Sequence, residues 1–437
     1  MIEFKPRIYY RLSMKLMSSL SVGSGSDENT DHDIIVDSEG RPFIPATAIA
    51  GVLRHSMSEQ SARELFGYEP TDKSGSEEQK SKDRIIIYDA RTLNDVKNIY
   101  ITNRDSVALK NKVGKKGAKF DMQAVEPGVV LTAYVELLDE GQAEKLEIAF
   151  AKVASGELRF GAKTTRGYGR VGLTVRKKNI NSFSDYADFA VYDEEKWSRA
   201  DNEISILIQE DHPTACSADQ VMIKLSLECR GGISIREYST DVGRPDYETL
   251  SLHDNKGEKN VPVIPGTSWA GAFRERYAAF IGDENRMKDL FGRVYTKEEI
   301  GNAALNGKTL PAAEKSKIIF SEKKLEGGCY KISTRNAIDR FSAATKDGAL
   351  YTERTYYNGK TELTIFVPKD LSYEERFSLA AVIADLHNGF LAVGGLTSVG
   401  RGLFKVRKVN DDSDTAKLLD ADTPDLSEFV KKVFPSE

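Results

Sequence analysis

The chain states one pattern twice. Residues 44–54 read IPATAIAGVLR and residues 264–274 read IPGTSWAGAFR, each after a long polar loop and each opening a predicted helix. Later, FGAKTTRGYGRVGL at 160–173 is answered by VGGLTSVGRGLFKV at 393–406. Gly161, Gly167 and Gly169 then meet Gly394, Gly400 and Gly402 at a constant offset. A repeat unit of well over a hundred residues is far longer than a solenoid repeat, so each copy is expected to bury a core of its own. The chain is therefore read as two copies of one domain.

Each copy is predicted to run β–α–β–hairpin–β–α–β. In the first, about 1–180, PRIYYRLSMKLMSSLSVG alternates like a strand. Ile49, Val52, Leu53 and Met57 then recur at helical spacing from Thr47, which is expected to cap the helix. RIIIYDA (84–90) and VVLTAYVEL (129–137) read as strands, and EGQAEKLEIAFAKVA (140–154) as an amphipathic helix. Residues 181–218 form an acidic connector carrying Trp197. The second copy, about 219–410, repeats the order, with KIIFSEK (317–323) matching RIIIYDA. Its last helix is announced by Ser372 and Glu375, the two ends of a capping box. Residues 411–437 read as an acidic, accessory tail. The expected fold class is α+β, two tandem ferredoxin-like modules with helices on one face of an antiparallel sheet.

Composition removes several classes of function. No run of about 18 uncharged apolar residues is present, so no membrane span is expected. The strand-like N-terminus lacks the apolar core of a signal peptide. Three scattered cysteines, Cys216, Cys229 and Cys329, give neither zinc spacing nor a disulfide framework. The cytoplasm is the expected location. The net charge of −5 argues mildly against nucleic acid. The basic residues are clustered, however: Arg104, Lys110, Lys112, Lys115, Lys116 and Lys119 stand against Asp105 alone within 104–119. An acidic chain can thus carry a basic working surface.

Four features carry the chemistry. The two Ile-Pro segments start helices whose first N–H groups are able to meet a phosphate; a plain structural helix start is the alternative. The glycine loops supply backbone N–H groups, hydroxyls, and the cations Lys163, Arg166, Arg170 and Arg401, suited to a phosphodiester backbone. They do not match GxxxxGK[ST], which speaks against a stand-alone nucleotide enzyme. The hairpins 102–120 and 333–351 align Arg104 with Arg335 and Val107 with Ile338, an arm able to lie across a nucleic-acid strand with an apolar wedge. The loops before the Ile-Pro segments hold Asp27, Glu28, Asp31, Asp33 and Asp37 in one copy and Asp241, Asp246 and Glu248 in the other, acids able to hold Mg²⁺ or act on a ribose hydroxyl. His32 and His253, in the same loops, read as solvent-exposed.

Together the loop, the IPG-(S/T)-(S/T)-x-x-G-x-x-R helix and the glycine-rich hairpin resemble the RAMP superfamily of CRISPR proteins, and most of all the repeating backbone subunits of type III effector complexes. The resemblance covers nearly the whole chain, once per half. It implies two modified RNA-recognition folds that bind guide RNA, displace a nucleotide with a thumb at about 102–120 and 333–354, and cut the complementary target RNA in a metal-dependent reaction. It implies Asp31 and Asp246 as the catalytic and metal-holding carboxylates, with Asp33 a rival to Asp31, and Mg²⁺ as the metal. The RNA-binding set becomes Arg54, Arg274, Lys163, Arg166, Arg170, Arg401, Arg104, Arg335, Lys110 and Lys112, with Val107 and Ile338 as wedges. The implied partners are guide RNA, target RNA and other subunits, with no membrane. Where the family often has Lys, this chain has Ala50 and Ala270, and Ala46 stands where Gly is usual. Arg54, Arg274 and the glycine loops then take over the guide contact. A guide-binding scaffold without nuclease activity is the alternative reading.

Overall fold

The computed structural model describes residues 4–25, 32–67, 84–92, 98–110, 113–187, 197, 219–238, 245–252, 261–305, 310–311, 313–422 and 424–434, and of 24–25, 105–110, 113–119, 237–238, 297 and 304 the backbone only. The chain divides into two compact units, one of residues 1–164, 168–217 and 254–257, the other of 165–167, 218–253 and 258–437.

In the first unit the predicted alternation of the opening strand is realised. Strand β1 (Arg7–Leu16) turns Tyr10, Leu12, Met14 and Leu16 into the core. It is followed by helix α1 (Ala46–His55), strand β2 (Ile85–Ile87), the long hairpin β3 (Ile101–Lys110) and β4 (Val113–Val125), strand β5 (Val130–Leu137), helix α2 (Ala143–Ser155) and strand β6 (Val171–Ile180). The main sheet has the order β2-β5-β1-β6 and is antiparallel throughout. Register places Leu12 opposite Ala133 and Val175, and Met14 opposite Leu131 and Leu173, so apolar side chains stack on one face. Against that face α2 lays Leu146, Ala149, Phe150 and Val153, at helical spacing.

The second unit repeats this plan. Strand β7 (Gln220–Arg230), helix α3 (Gly266–Ile281), strand β8 (Ile319–Phe320), the thumb strands β9 (Cys329–Arg335) and β10 (Tyr351–Tyr357), strand β11 (Lys360–Pro368), helix α4 (Tyr373–Asn388) and strand β12 (Leu403–Val409) follow in order. Its main sheet is β8-β11-β7-β12, the same strand order, again antiparallel. Helix α4 begins with the expected capping box of Ser372 and Glu375 and buries Leu379, Val382, Ile383 and Leu386. A βαββαβ chain with strand order 2-3-1-4 is the ferredoxin-like topology, and this protein contains it twice.

Two segments behave differently from their composition. Trp197, in the acidic connector, is fully buried on the outer face of the first sheet with Tyr9, Tyr134 and Ile180, its ring 6.2 Å from that of Tyr134. The segment read as an accessory tail packs into the second core. Helices α5 (Ser413–Lys417) and α6 (Leu426–Val433) deliver Ala416, Phe429, Val430 and Val433, and the residues just after them add Leu419 and Phe434. Several of its acids are caps: Asp412 accepts from Asp414 N and Thr415 N, and Asp425 from Glu428 N. Those carboxylates made the segment look like a solvated tail, whereas they start the helices that bury its apolar residues.

This packing sets a pH dependence. His387 of α4 is buried, and its Nε2 lies 2.8 Å from Asp420, which also takes Lys405 Nζ at 2.7 Å. Burial, with the nearby Lys405 and Arg230 charges, outweighs the Asp420 hydrogen bond and holds the imidazole below its usual range. A base depressed in the folded state is stabilising while neutral, so its contribution is full above about pH 6.5 and is lost as pH falls towards the folded value. Thermal melts at pH 7.5 and 5.5 should show wild type losing more stability on acidification than His387→Gln. Equal losses would exclude this role for His387.

Candidate nucleic-acid interface

The polar loop and the thumb meet in each unit through the same backbone pairing. In the first, His32 forms a parallel bridge with Met122 of β4, and Gln123 N donates to His32 O at 2.9 Å. Asp33–Ile34 continues as a short strand against Gly23–Gly25, and Ile34 N donates to Gln123 Oε1 at 3.3 Å. In the second unit Tyr247–Thr249 runs parallel to β10, with Tyr247 opposite Glu353, and antiparallel to Arg236–Tyr238.

The side chains repeat the backbone. The His32 ring lies 6.2 Å from Phe120 at an interplanar angle of 82°, and Tyr247 lies 5.6 Å from Tyr351 at 81°. Edge-to-face rings therefore join loop to thumb in both units. The sequence alone assigned neither His32 nor Phe120 a role, because the contact joins residues far apart in the chain. The matching aromatic at each start of the loop strand was the available signal. Asp31, immediately before His32, lies outside the described residues, as does His253. Asp33 is buried.

Asp246 is exposed and immediately precedes Tyr247. Its Oδ2 accepts from Thr352 N at 2.7 Å and from Thr352 Oγ1 at 3.1 Å, while its own N–H donates to Thr352 Oγ1 at 3.2 Å. The Thr352 backbone N–H, then its hydroxyl, hold the carboxyl below the usual range, so it is ionised at neutral pH. Among the described residues no group of three or more His, Cys, Asp and Glu is gathered to hold a metal. A single ionised carboxylate still suits Mg²⁺, which is commonly held by one or two carboxylates together with substrate phosphates and water.

The arginines divide. Arg104 is enclosed at the base of the first thumb, with Nη2 3.1 Å from Glu126 Oε1 and 2.6 Å from Ser19 Oγ, and Nη1 3.0 Å from Tyr168 Oη. In the second unit Glu353 takes Arg335 Nε at 2.9 Å and the buried Arg401 Nη2 at 3.1 Å, while Arg401 also donates to Tyr357 Oη. A buried glutamate thus neutralises the thumb base twice, and Arg104 and Arg401 present no guanidinium to solvent. Arg54 is exposed, and Arg274 is half-buried with Nε 3.2 Å from Met287 Sδ. Lys163 approaches the Phe120 ring, its Nζ 4.6 Å from the centroid. Arg166 ends the one-turn helix Thr164–Arg166, and Arg170 is half-buried where that loop re-enters the sheet. The side chains of Val107 and Lys110, and all of Lys112, lie outside the described residues. Ile338 is 68% exposed and Phe341, three residues on in the same thumb, 89%. Phe341 escaped the sequence reading. It is held out by an Asp339 carboxylate that accepts from Phe341 N and Ser342 N at 3.0 and 2.9 Å.

The helix starts and glycines have structural reasons of their own. Pro45 occupies the N-cap position of α1 without a side-chain cap, so Thr47 lies inside the helix rather than capping it. The first free N–H, that of Ala46, donates to Asp89 Oδ1 at 2.9 Å, and Arg91 balances the other oxygen at 2.8 Å. A carboxylate two residues beyond β2 therefore holds the position where a phosphate was expected. At the glycine loops Gly169 and Gly402 both have φ 74°. A Cβ there would lie 1.8 Å from Phe160 O and 1.9 Å from Val393 O, which only glycine avoids.

Two ferredoxin-like modules with thumbs and glycine-rich hairpins define the class of protein. The RAMP superfamily model matches residues 13–172 and again 246–405, and the chain belongs to that superfamily as a tandem of two modules. The superfamily supports a CRISPR-associated, RNA-binding role in a multisubunit complex. Comparison with curated proteins gave no match. Among the described residues no helix is long and apolar enough to cross a membrane.

Proposed function

We propose that this chain is a backbone subunit of a type III CRISPR effector complex that binds guide RNA through both modules and cuts paired target RNA at Asp31 and Asp246. The observation that carries the proposal is the shared loop–thumb register. His32 opposite Met122 and Tyr247 opposite Glu353 are equivalent pairs, so Asp31 and Asp246 hold the same chain position and Asp33 corresponds to Glu248. The register thus favours Asp31 over its rival. A loop carboxylate beside the thumb meets RNA where the thumb separates neighbouring nucleotides. A bound divalent metal would supply charge neutralisation at the scissile phosphate. Asp31 and Asp246 would hold it, and Thr352 would keep Asp246 ionised and aimed.

The test is cleavage of a labelled RNA complementary to the guide in the complex carrying wild-type chain, Asp31→Ala, Asp246→Ala or both, with Mg²⁺ or EDTA. Each single variant is expected to lose one product, with a fall of at least about 100-fold, and the double variant both. The scaffold reading has one observation in its favour, the engagement of Asp246 by Thr352. An unchanged product pattern in all four complexes would select it.

A further inference from the structure

Each loop–thumb ring pair carries a cation, and the two modules deliver it from opposite sides. In the first, Lys163 Nζ lies 4.6 Å from the Phe120 centroid; in the second, the Arg236 guanidinium lies 4.3 Å from the Tyr247 centroid. These two residues are not equivalent. Ala162 N donates to Ser21 O as Gly395 N donates to Ser234 O, and Ile35 N to Val22 O as Leu250 N to Ile235 O. One residue further along each segment, Lys163 corresponds to Leu396 and Gly23 to Arg236. Lys163 and Leu396 even share a left-handed backbone, φ 52° and 55°. The first module therefore has glycine and lysine at the two flanking positions, and the second has arginine and leucine. Each keeps one cation on its ring pair while exchanging the segment that supplies it.

A ring pair does not need a cation to pack, since edge-to-face contact is already favourable. A ring face holds a cation in position without neutralising it. We infer that Lys163 and Arg236 are equivalent phosphate-contacting cations, each meeting an RNA phosphate at the loop–thumb ring pair of its module. That they assist cleavage rests on the function proposed above; the phosphate contact does not.

The experiment moves the cation. Lys163→Leu should lower the rate of the Asp31-dependent product about 100-fold and leave the Asp246-dependent one unchanged. Adding Gly23→Arg, which copies the second module, should restore it. Among the described residues a Cβ on Gly23 would meet Asp33 O at 3.7 Å, an ordinary van der Waals contact. Arg236→Gly and its rescue by Leu396→Lys give the reciprocal pair. In parallel, salt titration of the full chain on a labelled single-stranded RNA should show the slope of log K against log salt falling by about 0.7 in each single variant and returning in each rescue. Unchanged rates and slopes on cation removal would overturn the inference. So would a loss that relocating the charge fails to restore, since the residue would then be packing only. If wild type makes no aspartate-dependent cut, the nuclease reading fails, and the salt slopes with their rescues still decide the phosphate contact.

Discussion

Glu126→Ala is expected to destabilise the first module by about 3–5 kcal/mol, the cost of stranding a buried charge. The Glu126 carboxylate is fully buried and gathers the thumb base around itself. Arg104 Nη2 reaches its two oxygens at 3.1 and 3.3 Å, Ser19 Oγ donates at 3.2 Å, and Thr102 Oγ1 also donates. Without it the Arg104 guanidinium loses the carboxylate on which its Nη2 is seated, in a site closed to water. The neutral replacement Arg104→Met with Glu126→Leu should lose much less than Glu126→Ala, because no charge is then left unpaired. Hydrogen exchange resolved by segment is the right measurement, since two units need not unfold together. Faster exchange confined to β3, β4 and β1, reversed in the double replacement, is the expected result. A loss below about 1 kcal/mol would mean that the site rehydrates and that Arg104 is available to RNA after all.

The thumb base also shows why the sequence reading assigned arginines as it did. Arg104 lies among five lysines and Arg401 within a glycine loop, and both look like phosphate ligands because charge is visible in a sequence and burial is not. Their partner glutamates lie 22 and 48 residues away along the chain. What was legible was periodic or local: the alternation that makes β1, the Leu146–Val153 stripe of α2, the Ser372–Glu375 capping box, and the repeat itself, from which the two ferredoxin-like units follow. What escaped was non-local. The cap on Ala46 comes from Asp89, 43 residues on. The His32–Phe120 and Tyr247–Tyr351 contacts depend on a parallel pairing of loop and thumb that neither segment announces alone.

The duplication has a further use, because each module is an internal control on the other. A feature present in both at equivalent positions, such as the ring pair that joins loop to thumb, is required by the common architecture or its common task. A feature delivered by different residues to the same place is required more narrowly for what it supplies there. The buried glutamate belongs to the second kind. Glu126 follows β4 whereas Glu353 lies within β10, yet each neutralises the arginine at the foot of its thumb. The thumb needs a charged anchor at its base more than it needs any one strand position to provide it.

Phe429→Ala is the second change expected to have a large effect, about 3–5 kcal/mol on the second module. Phe429 is fully buried in α6 and belongs to the same core cluster as Leu379, Val382 and Phe404. Truncating the ring leaves a cavity that the surrounding sheet and helices are too well packed to close. Lys432→Ala, on the exposed side of the same helix, should change stability by less than about 0.5 kcal/mol. Thermal melts of the two variants, with proteolysis to locate the opened segment, separate the alternatives. If the last residues were an accessory tail, both substitutions would be silent and the tail could be cut without effect on the rest. The contacts argue otherwise. Asp420 ties the segment to His387 and Lys405, and Asn388 Nδ2 donates to Leu419 O at 2.7 Å. Helix α4 is therefore held on its outer side by the segment that Phe429 anchors. A destabilised α6 should release α4 and loosen the core into which Tyr356 of β10, the strand that holds Asp246, is packed, so loss of the Asp246-dependent product should track the melting of Phe429→Ala while the Asp31-dependent product persists.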